Sequence, residues 1–82
     1  MLYEIYGTDN CNFCQKAKQL LMAHDKAYTF IDVAENEDVT AAFFNRFPGV
    51  RKVPQIVVDD EHIGGYLELE KSLTLDAIES IL

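Results

Sequence analysis

Basic residues, cysteine and long apolar runs are all scarce in this chain, and each shortage closes off a class of function. Seven Lys and Arg stand against 14 Asp and Glu, for a net charge of -7. Phosphate contacts need clustered cations, so no nucleic acid is expected as a partner. The same charge argues against adsorption to an anionic membrane. No apolar run approaches the roughly 18 residues that cross a bilayer. Met1 to Gly7 has neither a basic stretch nor a long apolar one, so no secretory leader is expected. Two cysteines make at most one disulfide, too few for a secreted disulfide scaffold, and a reducing cytoplasm is the expected compartment. His24 and His62 are the remaining soft metal ligands, with no CxxC…HxxxH spacing, so no metal is expected. Repeats, low-complexity tracts and linkers are absent too. Residues 1–82 read as one domain.

What is present is a sequence of alternating periods. Leu2 to Tyr6 is short, apolar and aromatic, and Gly7 stops it, which predicts a strand. Thr8-Asp9-Asn10 is a loop with helix-capping chemistry. From Cys11 to His24-Asp25 the period is helical, with Phe13, Ala17, Leu20, Leu21 and His24 on one stripe. Tyr28 to Val33 predicts a second strand. Asp38 to Phe47 predicts a second helix burying Val39, Ala42, Phe43 and Phe47, ended by Pro48-Gly49. Val53 to Val58 is a third strand, Asp59-Asp60-Glu61 a tight turn, and His62-Ile63 a short return strand. After Gly64-Gly65, Tyr66 to Leu82 is helical, with Leu69, Leu73, Ile78, Ile81 and Leu82 as core candidates and a break at Thr74. The order β-α-β-α-β-β-α predicts an α/β fold. Its first two strands are parallel across a right-handed crossover, and its last two are an antiparallel hairpin.

Three motifs carry chemistry. Cys11-Asn12-Phe13-Cys14 places two thiols between a strand and the start of an amphipathic helix. Backbone N–H groups and the positive helix end favour a thiolate at Cys11. Thiolate is the attacking species in thiol–disulfide exchange. Cys11 is expected exposed and nucleophilic, and Cys14, one turn further in, buried and resolving. Val53-Pro54-Gln55 reads either as an edge strand starting with a trans proline or as a cis bond that turns the Val53 backbone toward a ligand. Gly64-Gly65 reads either as a plain turn or as close backbone approach, with a carboxylate docked on the N–H groups of Leu67 and Glu68.

Together these residues resemble a glutaredoxin of the thioredoxin-like superfamily. The resemblance rests on Cys11-Asn12-Phe13-Cys14, Arg51-Lys52-Val53-Pro54-Gln55 and His62-Ile63-Gly64-Gly65 in that order, and it runs over essentially the whole chain. It implies a single glutaredoxin domain over residues 1–82, with a four-stranded mixed sheet ordered 2-1-3-4 and flanked by three helices. It also implies a cis proline and glutathione as co-substrate, with no permanently bound cofactor. The glutathione-binding residues it implies are Phe13, Arg51, Lys52, Val53, Pro54, Gly65, Leu67 and Glu68. The chain departs from the family at Asn12 and Phe13, where Pro and Tyr are usual, and at Thr8, where a lysine is common. Arg51 and Lys52 then supply the cationic charge.

The implied activity is reduction of protein disulfides and glutathione mixed disulfides by a monomer, ribonucleotide reductase being one acceptor in the family. Two alternatives stand beside it. Thr8 keeps open a redoxin recycled by a thioredoxin reductase. Asn12 keeps open a [2Fe–2S] carrier built as a glutathione-bridged dimer. A catalytically idle binding module is disfavoured, because both cysteines and the proline are present.

Overall fold

The computed structural model describes residues 1–81. Its elements are β1 (Tyr3–Gly7), α1 (Asn12–Ala23), β2 (Tyr28–Asp32), α2 (Glu37–Arg46), β3 (Gln55–Val58), β4 (Glu61–Gly64) and α3 (Tyr66–Ile81). The four strands form one sheet ordered β2-β1-β3-β4. β1 pairs parallel with β2, from Tyr3 opposite Tyr28 to Gly7 opposite Asp32. β1 pairs antiparallel with β3, Ile5 opposite Ile56 and Tyr6 opposite Gln55, and β3 pairs antiparallel with β4. This is the expected mixed sheet of the thioredoxin-like fold.

Alternation along the central strands splits the core in two. Tyr3, Ile5 and Ile56 pack with Ala17 and Leu21 of α1 and with Leu69 and Leu73 of α3. On the other face, Val57 packs with Val33, Phe43 and Phe47, the last two from α2 and its C-cap. α1 and α3 therefore cover one face and α2 the other.

Several boundaries and burials differ from expectation. β3 begins at Gln55 rather than Val53, because Pro54 has no N–H to give the ladder. α2 begins earlier than Asp38, at Glu37, since the Asn36 side chain caps it by accepting from the Val39 N–H at 2.9 Å. Ala42 is exposed, so the buried stripe of α2 is narrower than predicted. α3 runs through Thr74 without a break. Thr74 faces solvent there, where a β-branched residue costs only about half a kcal/mol of helix propensity. Ile78 and Ile81 are not core residues, being 48% and 84% exposed. No described residue of α3 beyond Leu73 is buried, so its last turns have no core face to fill. Leu82 lies outside the described residues.

Candidate active site

The loop from β1 delivers Cys11 to the first position before α1. Its sulfur is the N-cap of the helix, accepting from the Cys14 N–H at 3.2 Å. The expected capping group lay in Thr8-Asp9-Asn10; the sulfur itself takes that role. A sulfur in this place faces the first-turn N–H groups and the positive end of the dipole. Its thiol also donates to the Val53 carbonyl at 3.7 Å. That contact crosses from α1 to the loop before β3, where the Val53–Pro54 bond is cis.

Cys14 is fully buried, and both thiols are free. Burial pushes the Cys14 thiol up to about 12, and the side-chain hydrogen bond to Cys11 adds to this. At neutral pH Cys14 holds its proton. Gly7 makes the burial possible: a Cβ there would lie 2.5 Å from the Cys14 sulfur. The sequence pattern marked Gly7 only as a strand end.

Beside the cysteines lies a groove of about 350 Å³. Phe13 of α1, the segment from Lys52 to Gln55 and the start of α3 from Gly65 to Glu68 line it. Phe13 shares the apolar stripe of α1 and is one of the residues the resemblance implies for the groove. It is half exposed there, its ring 5.6 Å from that of Tyr66 and under the Lys16 ammonium at 4.8 Å. Arg51 does not line this groove; it lines a neighbouring depression with Phe44, Gly49 and Val50.

At the far end of the groove, the Glu68 carboxylate turns back to accept from the Gly65 N–H at 2.7 Å. The Gly65 carbonyl accepts from the Leu69 N–H at 3.1 Å, the first bond of α3. This is the reach-back half of a capping box. It needs a bare Gly64, whose φ is +124° and whose Cβ would meet the Glu68 side chain at 2.6 Å. Helix geometry leaves the Leu67 and Glu68 N–H groups without intrahelical partners, and both residues line the groove.

A dithiol at a helix N-terminus, facing a cis proline across a sheet of this order, defines a redox protein of thioredoxin-like fold. The family model for glutaredoxin matches residues 3–63. Glutaredoxin 1 of Rickettsia conorii is 35% identical over 78 residues, covering 90% of this chain and 76% of the relative. The hybrid peroxiredoxin hyPrx5 of Haemophilus influenzae is 40% identical over 67 residues; the match covers 82% of this chain and about a quarter (27%) of that protein. The crystal structure of a buckwheat glutaredoxin–glutathione complex superposes with a TM-score of 0.73 at 23% identity, covering 85% of this chain and 66% of that one. The chain belongs to the glutaredoxin family. It is a thiol–disulfide oxidoreductase.

Proposed function

We propose that this protein is a glutathione-dependent dithiol oxidoreductase, acting as a single-domain monomer on protein disulfides and glutathione mixed disulfides. The observation that carries the reading is the Cys11 sulfur, which caps α1 and lies 3.7 Å from the Val53 carbonyl at the mouth of the groove. A mixed disulfide laid along that groove presents its sulfur to Cys11 and its peptide backbone to Val53, as strand addition does. The γ-glutamyl carboxylate reaches the Leu67 and Glu68 N–H groups at the start of α3. Phe13 walls the cysteinyl part, and Lys52 supplies the cation that an anionic tripeptide needs in so acidic a protein. A buckwheat glutaredoxin of the same fold crystallises as a glutathione complex, which supports glutathione as the ligand.

The Cys11 thiolate attacks the glutathione sulfur of the mixed disulfide. The old S–S bond breaks, the substrate thiolate leaves and takes a proton from solvent, and glutathione is now disulfide-bonded to Cys11. A second glutathione thiolate attacks that glutathione sulfur, releasing glutathione disulfide and restoring the Cys11 thiolate. On a protein disulfide, Cys11 forms the first mixed disulfide. Cys14 then attacks the Cys11 sulfur, the bond from Cys11 to the substrate sulfur breaks, and the Cys14 proton passes to the departing substrate thiolate, releasing the reduced protein and leaving a Cys11–Cys14 disulfide for glutathione to reduce. No resident cofactor takes part.

The acceptor is a protein disulfide such as that of ribonucleotide reductase, and the compartment is a reducing cytoplasm that keeps both thiols free. The likeness to a segment of a hybrid peroxiredoxin supports a second acceptor class, an oxidised peroxiredoxin. The test is turnover of an S-glutathionylated peptide with glutathione, glutathione reductase and NADPH, run beside thioredoxin reductase with NADPH. Turnover in the first system supports the reading. Turnover in the second alone overturns it in favour of the redoxin alternative, and a brown preparation with visible absorption favours the cluster carrier.

A further inference from the structure

Gln55 is the one buried polar side chain among the described residues, only 8% exposed although it lines the groove. Its amide is spent at both ends. The nitrogen donates to the Lys52 carbonyl at 2.9 Å, and the oxygen lies 2.7 Å from Nε2 of His62. The chemistry leaves one arrangement. A carbonyl has no proton to give, so the Gln55 nitrogen must face Lys52. The Gln55 oxygen then faces His62, and Nε2 of His62 must carry a proton. The ring of His62 lies 4.6 Å from that of Phe47, itself buried in the core under α2. A continuous line of contacts thus runs from that core through His62 and Gln55 to the loop beside Cys11.

We propose that Gln55, held by His62, is a positioning residue that aims the Val53 backbone at the substrate. The inference rests on the reading that the Val53 backbone pairs with the substrate. The peptide between Lys52 and Val53 is planar, and its C=O and N–H point in opposite directions when it is trans. Pulling the Lys52 carbonyl toward Gln55 therefore turns the Val53 N–H away from Gln55, in a residue that itself lines the groove. The same bond bridges Lys52 to Gln55 across Val53–Pro54, and the next carbonyl, that of Val53, accepts from Cys11. A methionine here would fill the same space without burying an amide. What only the amide supplies is the orientation of one peptide plane.

The experiment compares wild type, Gln55→Met, His62→Phe and His62→Gln on two substrates: an S-glutathionylated peptide with glutathione as reductant, and insulin with dithiothreitol as reductant. Loss of one aiming hydrogen bond is expected to raise KM about tenfold in Gln55→Met. Alkylation of Cys11 by iodoacetamide stays within about twofold of wild type, because its place as the N-cap of α1 is untouched. His62→Phe keeps the ring against Phe47 without the donor and raises KM by less. His62→Gln puts an amide nitrogen near the place of Nε2 and restores wild-type KM. A purely structural role lowers the folded fraction, which reduces the maximal rate and leaves KM alone; that pattern, or a KM within twofold of wild type on both substrates, overturns the proposal. A wild-type protein that reduces insulin but not the glutathionylated peptide sinks the glutathione reading. The Gln55→Met to wild-type KM ratio on insulin still decides this one.

Discussion

The Cys14 sulfur occupies the space where a side chain on Gly7 would begin: a Cβ at Gly7 would lie 2.5 Å from Cys14 Sγ and 3.2 Å from both Cys14 Cβ and the Phe30 ring. The end of β1 is thus shaped around the buried thiol of α1. Sulfur and backbone cannot both stay in place if Gly7 gains even a methyl group.

Gly7→Ala is therefore expected to destabilise the protein by about 1–3 kcal/mol, the usual cost of overpacking a core. The functional effect divides. A displaced Cys14 attacks the Cys11 sulfur from the wrong angle, so reduction of protein disulfides falls on the order of 10- to 100-fold. Release of glutathione from a mixed disulfide, which needs only Cys11, falls far less. Parallel assays of the two reactions, corrected for folded fraction by circular dichroism, check this split.

The buried Cys14 thiol also ties stability to pH. Its pKa is raised from an ordinary value near 9 to about 12, with burial as the main cause. The folded state keeps the proton while the unfolded chain releases it above about 9. Cys14 therefore contributes fully below that pH, and its contribution is lost as pH rises from about 9 to about 12, by at most one proton, or about 1.4 kcal/mol per pH unit. Urea denaturation of wild type and Cys14→Ala across pH 7 to 12 checks it. The stability difference between the two proteins should shrink across that window and stay flat below it.

Charge at the groove is expected to fall mainly on one residue. Lys52 lines the groove, whereas Arg51 faces the neighbouring depression beside Phe44 and Val50. Both are exposed, where solvent screens a single ion pair. Lys52→Gln should raise the apparent glutathione constant by about three- to fivefold and Arg51→Gln by less than twofold. The double variant should flatten the salt dependence of that constant. Steady-state kinetics between low and physiological salt measure all three.

How much of this was legible in the sequence follows the range of the interactions. Apolar alternation in β1 and the helical spacing of Ala17 and Leu21 are local signals, and both elements stand where the pattern put them, within a residue or two. The cysteines and the proline were legible as motifs, because loop and strand-start chemistry restricts which residues can sit there. Ile78 and Ile81 were misread because periodicity reports that a helix has an apolar stripe, and cannot report whether anything packs against it. Phe13 sat on the same stripe as Ala17, yet at the first turn that direction opens onto the groove. Gly7 was legible only as a strand end and Gln55 only as part of the Val53-Pro54-Gln55 motif, neither with a role of its own. Gly7 matters because of Cys14, and Gln55 joins Lys52 to His62; neither arrangement exists until the sheet has formed.

The central claim is that Cys11 is the sulfur that takes glutathione, with Cys14 protonated behind it. The most direct measurement mixes the Cys14→Ser protein with glutathione disulfide at neutral pH and maps the product by mass spectrometry of proteolytic peptides. The account predicts a single glutathionyl group, carried by the peptide containing Cys11 and removed by added glutathione. A Cys14→Ser protein that stays unmodified while its Cys11 still reacts with iodoacetamide would contradict it, as would a Cys11→Ser protein that takes up glutathione on Cys14 at the same rate.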